Sequence, residues 1–236
     1  MKLGLISDIH ADLDYLRRAL NLLRELGADE IVCAGDIVDG ETEGEAAAQF
    51  FQRQNIPCVQ GNHDRLMSDP ALAGIATRFA PRNGVPTTDD QLRADILTSE
   101  TIAYLWNLPQ RQYFEWDARR VLLTHASTWS LNNYLYPDEN PHLLLRLAQE
   151  ADANIVIVGH THVPMAVEVE GTWIFNPGSV YGGRRAPYTA TCALLDLAHL
   201  RYRVYDILTG QPVVYLFTRV NADVHNSHTF EHVEHS

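Results

Sequence analysis

The chain has 236 residues, with 30 acidic against 18 basic side chains and a formal net charge of −12. That balance argues against a protein that tracks a nucleic-acid backbone, because such binding rests on clustered Lys and Arg. No apolar run is long enough for a membrane span or a signal peptide, so a soluble cytoplasmic protein is expected, with no membrane partner.

The first apolar run, residues 3–7, reads as a buried strand and ends in Asp8-Ile9-His10. Asp12 then caps a helix whose stripe is Leu13, Leu16, Leu20 and Leu23, and Gly27 terminates it. Residues 30–34 form a second strand, followed by Gly35-Asp36 and a helix over residues 43–54 that packs through Ala47, Phe50 and Phe51. A third strand, residues 56–60, leads into Gly61-Asn62-His63-Asp64. Residues 66–115 read as an irregular insertion near the site, with a helix over residues 99–108 as its clearest element.

Residues 120–123 form a strand ending in Thr124-His125. Asn140-Pro141 then opens a helix with the stripe Leu143, Leu144, Leu147, Ala148 and Ala151. The strand over residues 154–158 runs into Gly159-His160-Thr161-His162. Beyond it, residues 165–169 and 172–175 form a hairpin, and residues 190–197, 200–207 and 213–220 continue as alternating strands. This last third is expected to be a mainly antiparallel sheet closing the other half of a sandwich. One domain over residues 1–220 is expected, with a flexible His-containing tail over residues 221–236. Cys33, Cys58 and Cys192 lie inside apolar runs and predict buried thiols, not disulfides.

The polar clusters share one placement: each follows an apolar run, at the strand edge where α/β sheets bind ligands. Asp8, Asp36 and Asn62 recur at a little under the roughly 30 residues of a βαβ unit, so the spacing is structural. Their imidazole and oxygen donors together supply the ligand set of a two-metal hydrolytic site. That donor mixture suits Mn, Fe, Zn, Co or Ni better than Mg or Ca alone.

Asp8-x-His10, Gly35-Asp36, Gly61-Asn62-His63-Asp64, His125 and Gly159-His160-x-His162 occur in order, and the chain resembles the calcineurin-like metallophosphoesterase superfamily. The turn Asn176-Pro177-Gly178-Ser179 is similar to one in its small single-domain bacterial and archaeal phosphodiesterase-like branch. The resemblance implies an α/β fold, a four-layer αββα sandwich of two mixed sheets flanked by helices. It implies two divalent transition-metal ions, one on Asp8, His10 and His162, the other on Asn62, His125 and His160, with Asp36 bridging them. Such a pair, about 3.5–4 Å apart, shares a hydroxide that attacks a phosphate ester. His63 becomes the catalytic histidine that protonates the leaving oxygen, with Asp64 as its orienting partner. Arg65, Arg184 and Arg185 are the candidate substrate contacts.

The expected activity is hydrolysis of phosphate esters, favouring diesters of small molecules or nucleotides. The alternatives are a phosphomonoesterase, or a phosphoprotein or dinucleoside-tetraphosphate phosphatase. Those relatives carry an Arg soon after Gly-Asp, where this chain reads Ile37-Val38-Asp39. A non-enzymatic scaffold of the same fold ranks last, because no ligand and no catalytic histidine is missing. A homo-oligomer is compatible with the sequence.

Overall fold

Strand β1 (Lys2–Ile6) opens the chain, followed by α1 (Leu13–Glu25), β2 (Glu30–Cys33), α2 (Gly44–Gln54), the short α3 (Asn62–Ser68) and α4 (Ser99–Asn107). Next come β3 (Arg111–Trp116), β4 (Arg119–Thr124), α5 (Pro141–Glu150) and β5 (Ile155–Ile157). The chain finishes with β6 (Met165–Val169), β7 (Thr172–Asn176), β8 (Thr191–Asp196), β9 (Arg201–Asp206), β10 (Pro212–Val213) and β11 (Leu216–Val220). This computed structural model describes residues 1–38, 43–69, 97–137, 140–181 and 189–220. Arg184, Arg185, most of the expected insertion and the expected tail lie outside the described residues.

The strands form two mixed sheets, ordered β10-β9-β8-β1-β2 and β11-β6-β7-β5-β4-β3. Alternation along each strand assigns its two faces. Leu3 and Leu5 of β1 point between the sheets with Val32, Val121, Leu123, Ile157, Phe175 and Ala193. Ile6 packs instead with Leu16, Leu20 and Leu23 of α1 and Phe51 of α2. On the far side Leu122, Val156 and Ile174 pack against Leu144 and Leu147 of α5. The layers are therefore helices, sheet, sheet, helix, the αββα sandwich expected. Each fully buried Leu in these layers is worth about 1.5–3 kcal/mol relative to exposure, so together they hold the sheet ends in place.

Local signals explain the helix ends. Asp12 accepts the backbone N–H of Tyr15 at 3.0 Å and so caps α1. Asn140 occupies the cap position of α5 without a side-chain capping bond, and Pro141 stands at the first turn. Among the described residues no helix is long and apolar enough to cross a membrane, and all three cysteines are buried and free.

Four expectations are corrected. Residues 56–60 are not a strand: Pro57 lacks a donor, and only Cys58 bridges Cys33. The last third does not make a sheet of its own, because β6 and β7 join one sheet while β8 and β9 join β1 in the other. The stretch expected as one strand over residues 213–220 is divided: Val213 pairs with Val204 in the first sheet, and β11 crosses to run parallel with β6 in the second. The end of the expected insertion is also regular, since Arg111–Trp116 pairs antiparallel with β4 along its whole length.

Candidate metal centre

Loops from both sheets meet at one end of the sandwich. Asp8 and His10 follow β1, Asp36 follows β2, His125 follows β4, and His160 and His162 follow β5. Asn62 and His63 open α3. The backbone is left-handed at Asp8 (φ 55°), His10 (47°), Asp36 (55°), His160 (67°) and His162 (60°). Such conformations cost non-glycine residues roughly 1–3 kcal/mol each and persist only where the surroundings impose them. Two glycines permit the crowding: a Cβ on Gly61 would overlap the Asp36 carboxylate, and one on Gly159 would overlap the Ser7 hydroxyl.

The donors fall into overlapping groups. Asp8, His10 and His162 present ligand atoms within 4.8 Å of one another, and so do Asp36, His125 and His160. A third group of the same kind, His10, Asp36 and His63, joins them. In the first, His162 Nε2 lies 3.2 Å from Asp8 Oδ1 and 3.0 Å from His10 Nε2. In the second, His125 Nε2 lies 2.9 Å from Asn62 Oδ1 and 3.4 Å from Asp36 Oδ2. Asp36 Oδ2 is also 4.0 Å from His10 Nε2, so one oxygen faces both groups. The other, Oδ1, accepts the backbone N–H of His63 at 2.9 Å.

This geometry fits divalent ions. Two nitrogens bound at about 2.1 Å and at right angles to one ion stand about 3.0 Å apart, the observed separation of the His10 and His162 nitrogens. His160 Nε2 is buried with no hydrogen-bond partner among the described residues, as expected of an atom whose partner is a metal.

Charge is distributed unevenly over these groups. Burial pushes the Asp8 carboxyl up, but the hydrogen bond and charge of His162 hold it below the usual range. Asp36 is likewise held far down against its burial, chiefly by the charge of His125. Burial disfavours the charged form of His125, yet Asp36 and Asp8 raise it to about 10. His160, desolvated and facing the His125 charge, drops to about 4. One imidazole of this second group therefore carries a proton at neutral pH, and the other offers a lone pair.

Outer contacts hold the ligands. His125 Nδ1 bonds the carbonyl of Ala34 at 2.7 Å, which directs Nε2 toward Asn62 and Asp36. His160 N donates to Asp8 Oδ2 at 3.0 Å. The turn at 176–179 braces two ligand loops: Asn176 Nδ2 donates to Gly159 O and Thr161 Oγ1, and Ser179 Oγ donates to Asp8 O. The His63 ring stands edge-on to His10, with centroids 5.0 Å apart.

The Asp64 carboxylate accepts the backbone N–H groups of Ile37 and Val38 on Oδ1 and of Gly61 on Oδ2, tying the Asp36 loop to the start of α3. Burial, with the Asp36 charge, raises its pKa to about 6. Arg65 lies with its guanidinium 3.9 Å over the Trp106 ring, a contact that joins α3 to α4, and its Nε is 3.8 Å from Asp69 at the end of α3. Tyr181 comes within 5.7 Å of the His10 ring. Tyr134, outside the expected site, lies 4.4 Å from the His160 ring. No motif marks it, and only its neighbours Ser127 and Leu135, anchoring its loop, give it meaning.

Known proteins agree with this architecture. A model of the calcineurin-like phosphoesterase superfamily domain matches residues 1–199. Phosphodiesterase YfcE of Escherichia coli is 29% identical over 80% of this chain and 85% of its own. A protein named probable metallophosphoesterase from Methanothermobacter thermautotrophicus is 27% identical over 90% of this chain and 95% of its own. The crystal structure of a metallophosphoesterase from Sphaerobacter thermophilus shares the fold, with a TM-score of 0.66 and 24% identity over 91% of this chain and 89% of that one. With the family model spanning every donor loop described above, this chain belongs to the calcineurin-like phosphoesterase superfamily.

Proposed function

We propose that this metal-dependent phosphoester hydrolase holds two divalent transition-metal ions, one on Asp8, His10 and His162 and one on Asn62, His125 and His160, with Asp36 between them, and cleaves phosphodiesters. The observation that carries the dinuclear reading is the position of Asp36 Oδ2, facing His10 Nε2 at 4.0 Å and His125 Nε2 at 3.4 Å. Its Oδ1 accepts the His63 N–H, which holds the carboxylate between the two donor groups. When bound, such ions acidify water to near neutral pH and polarise a phosphoryl oxygen.

The chain's own residues do the rest. Asp36 and Asp8, held ionised by their histidines, place negative charge where two cations must be brought close. His63, fixed through its backbone to Asp36, sets its ring at the edge of the centre to protonate the departing oxygen. Asp64 and Asn176 act on loop backbone, keeping the ligand loops in their left-handed conformations.

Diesters are favoured because a dianionic monoester needs more guanidinium support than a monoanionic diester. Arg65, the arginine nearest the Asn62-His63 pair in sequence, is engaged by Asp69 and Trp106. YfcE is named a phosphodiesterase, which supports the same choice. Three buried free thiols and a net charge of −12 fit work in the cytoplasm. The test is kcat/KM for matched mono- and diesters with Mn: diesters are expected to be cleaved at least as well, and a large monoester preference would move the protein to the monoesterase reading.

A further inference from the structure

Tyr134 is an exposed aromatic side chain at the rim of the metal centre. Half of its surface, 53%, is in solvent, while its ring packs 4.4 Å from the His160 ring at a tilt of 37°. Tyr136 lies beside it, its ring nearly parallel at 10° with centroids 6.1 Å apart. A lone exposed tyrosine needs no explanation, but this one leans on a residue of the donor set and is held there by anchors on both sides. Asn133 Oδ1 accepts the hydroxyl of Ser127 at 2.6 Å, and Ser127 is itself buried two residues beyond His125. Leu135 is buried in the core beneath α5. With both neighbours fixed, Tyr134 is held outward by the fold.

We infer that Tyr134, extended by Tyr136, is a stacking platform for the nucleobase of a nucleotide phosphodiester whose phosphate lies on the metal centre. The inference rests on the phosphodiesterase reading above and names its substrate class. The place of the ring, on the far side of His160, selects the base over a simple aryl ester. One imidazole, that of His160, separates the Tyr134 ring from the donor atoms. An aryl group bonded directly to the ester oxygen stays at the phosphate, whereas a base carried on a sugar reaches past His160 to the platform. An aromatic face accepts any base, because every base has a π face.

The experiment compares two diesters with the same leaving group, thymidine nitrophenyl phosphate and ethyl nitrophenyl phosphate, on the metal-loaded full chain. Tyr134→Ala is expected to raise KM about 10-fold for the thymidine ester, within the range for loss of one base–aromatic stack. It should leave kcat for both esters and KM for the ethyl ester within about twofold, and Tyr134→Phe should behave as the parent. Equal losses on both esters would show that Tyr134 merely supports His160 and would overturn the platform, as would an unchanged thymidine KM. Calorimetry of thymidine monophosphate and ethyl phosphate binding reads the platform independently of turnover. Tyr134→Ala should weaken the nucleotide alone. If the parent cleaves neither diester but this binding difference persists, the phosphodiesterase reading fails and the platform stands; if the difference is absent, the platform fails.

Discussion

On the Asn62, His125 and His160 side of the centre, His125 is fully enclosed, with Nδ1 on the Ala34 carbonyl and Nε2 between Asn62 and Asp36. On the Asp8, His10 and His162 side, His162 keeps 19% of its side chain in solvent. The enclosed side is organised around the fully buried His125 by backbone and neighbouring charge before any ion arrives, and on the open side one donor, His162, stays partly exposed. An ion bound to preset ligands loses less in ordering them, so the enclosed position should bind more tightly and the open one should exchange.

Asp36 joins the two sides, and its replacement should have the largest effect. Asp36→Asn removes the anionic group facing both donor sets, so elemental analysis should find both ions lost and activity at background. Retention of either ion at full occupancy would mean that Asp36 serves one side only. The next effect is chemical. His63→Ala should keep both ions yet lose roughly 10²–10⁴-fold in rate on alkyl esters, the scale of general acid catalysis, with a smaller loss on nitrophenyl esters. Equal losses on the two classes would assign His63 to phosphate binding.

The difference in depth can be read directly in the metal-free protein. His125→Ala leaves Asp36 buried without its main compensating charge and should cost roughly 3–5 kcal/mol of stability. His162→Ala, at a half-open position, should cost distinctly less. Denaturant unfolding of the two variants checks this, and equal losses would erase the distinction.

The smallest effect is on pH. Because His125 is raised to about 10 by Asp36 and Asp8 against its burial, the metal-free side holds a proton at neutral pH that an ion must displace. Proton release makes metal affinity there rise with pH, by about tenfold per unit between pH 7 and 9. His160, lowered to about 4 and neutral across that window, adds no slope. A flat affinity over this range would contradict the protonated His125.

The candidate donors were legible because most of their clusters follow apolar runs, so strand geometry and ligand chemistry coincide at Asp8, Asp36, His125 and His160. Where those two signals separate, the sequence misleads. Arg111–Trp116 alternates exposed and half-buried residues as an edge strand, but it directly follows a segment of irregular composition that masks this alternation in the sequence. The break between Val213 and Leu216 carries no glycine or proline of its own, so one strand was expected where the chain crosses between sheets. At Asp64, adjacency to His63 in sequence does not reveal that a helix start turns its carboxylate onto backbone N–H groups. Tyr134 had no pattern to mark it, because its position depends on a loop anchored by Ser127 and Leu135.

Titration of metal-free protein with Mn, followed by calorimetry and by elemental analysis after gel filtration, tests the dinuclear centre most directly. Two ions per chain should bind, in two steps of unequal affinity, with the weaker step lost in His162→Ala and both lost in Asp36→Asn. Saturation at one ion per chain in excess Mn would contradict two donor sets sharing Asp36.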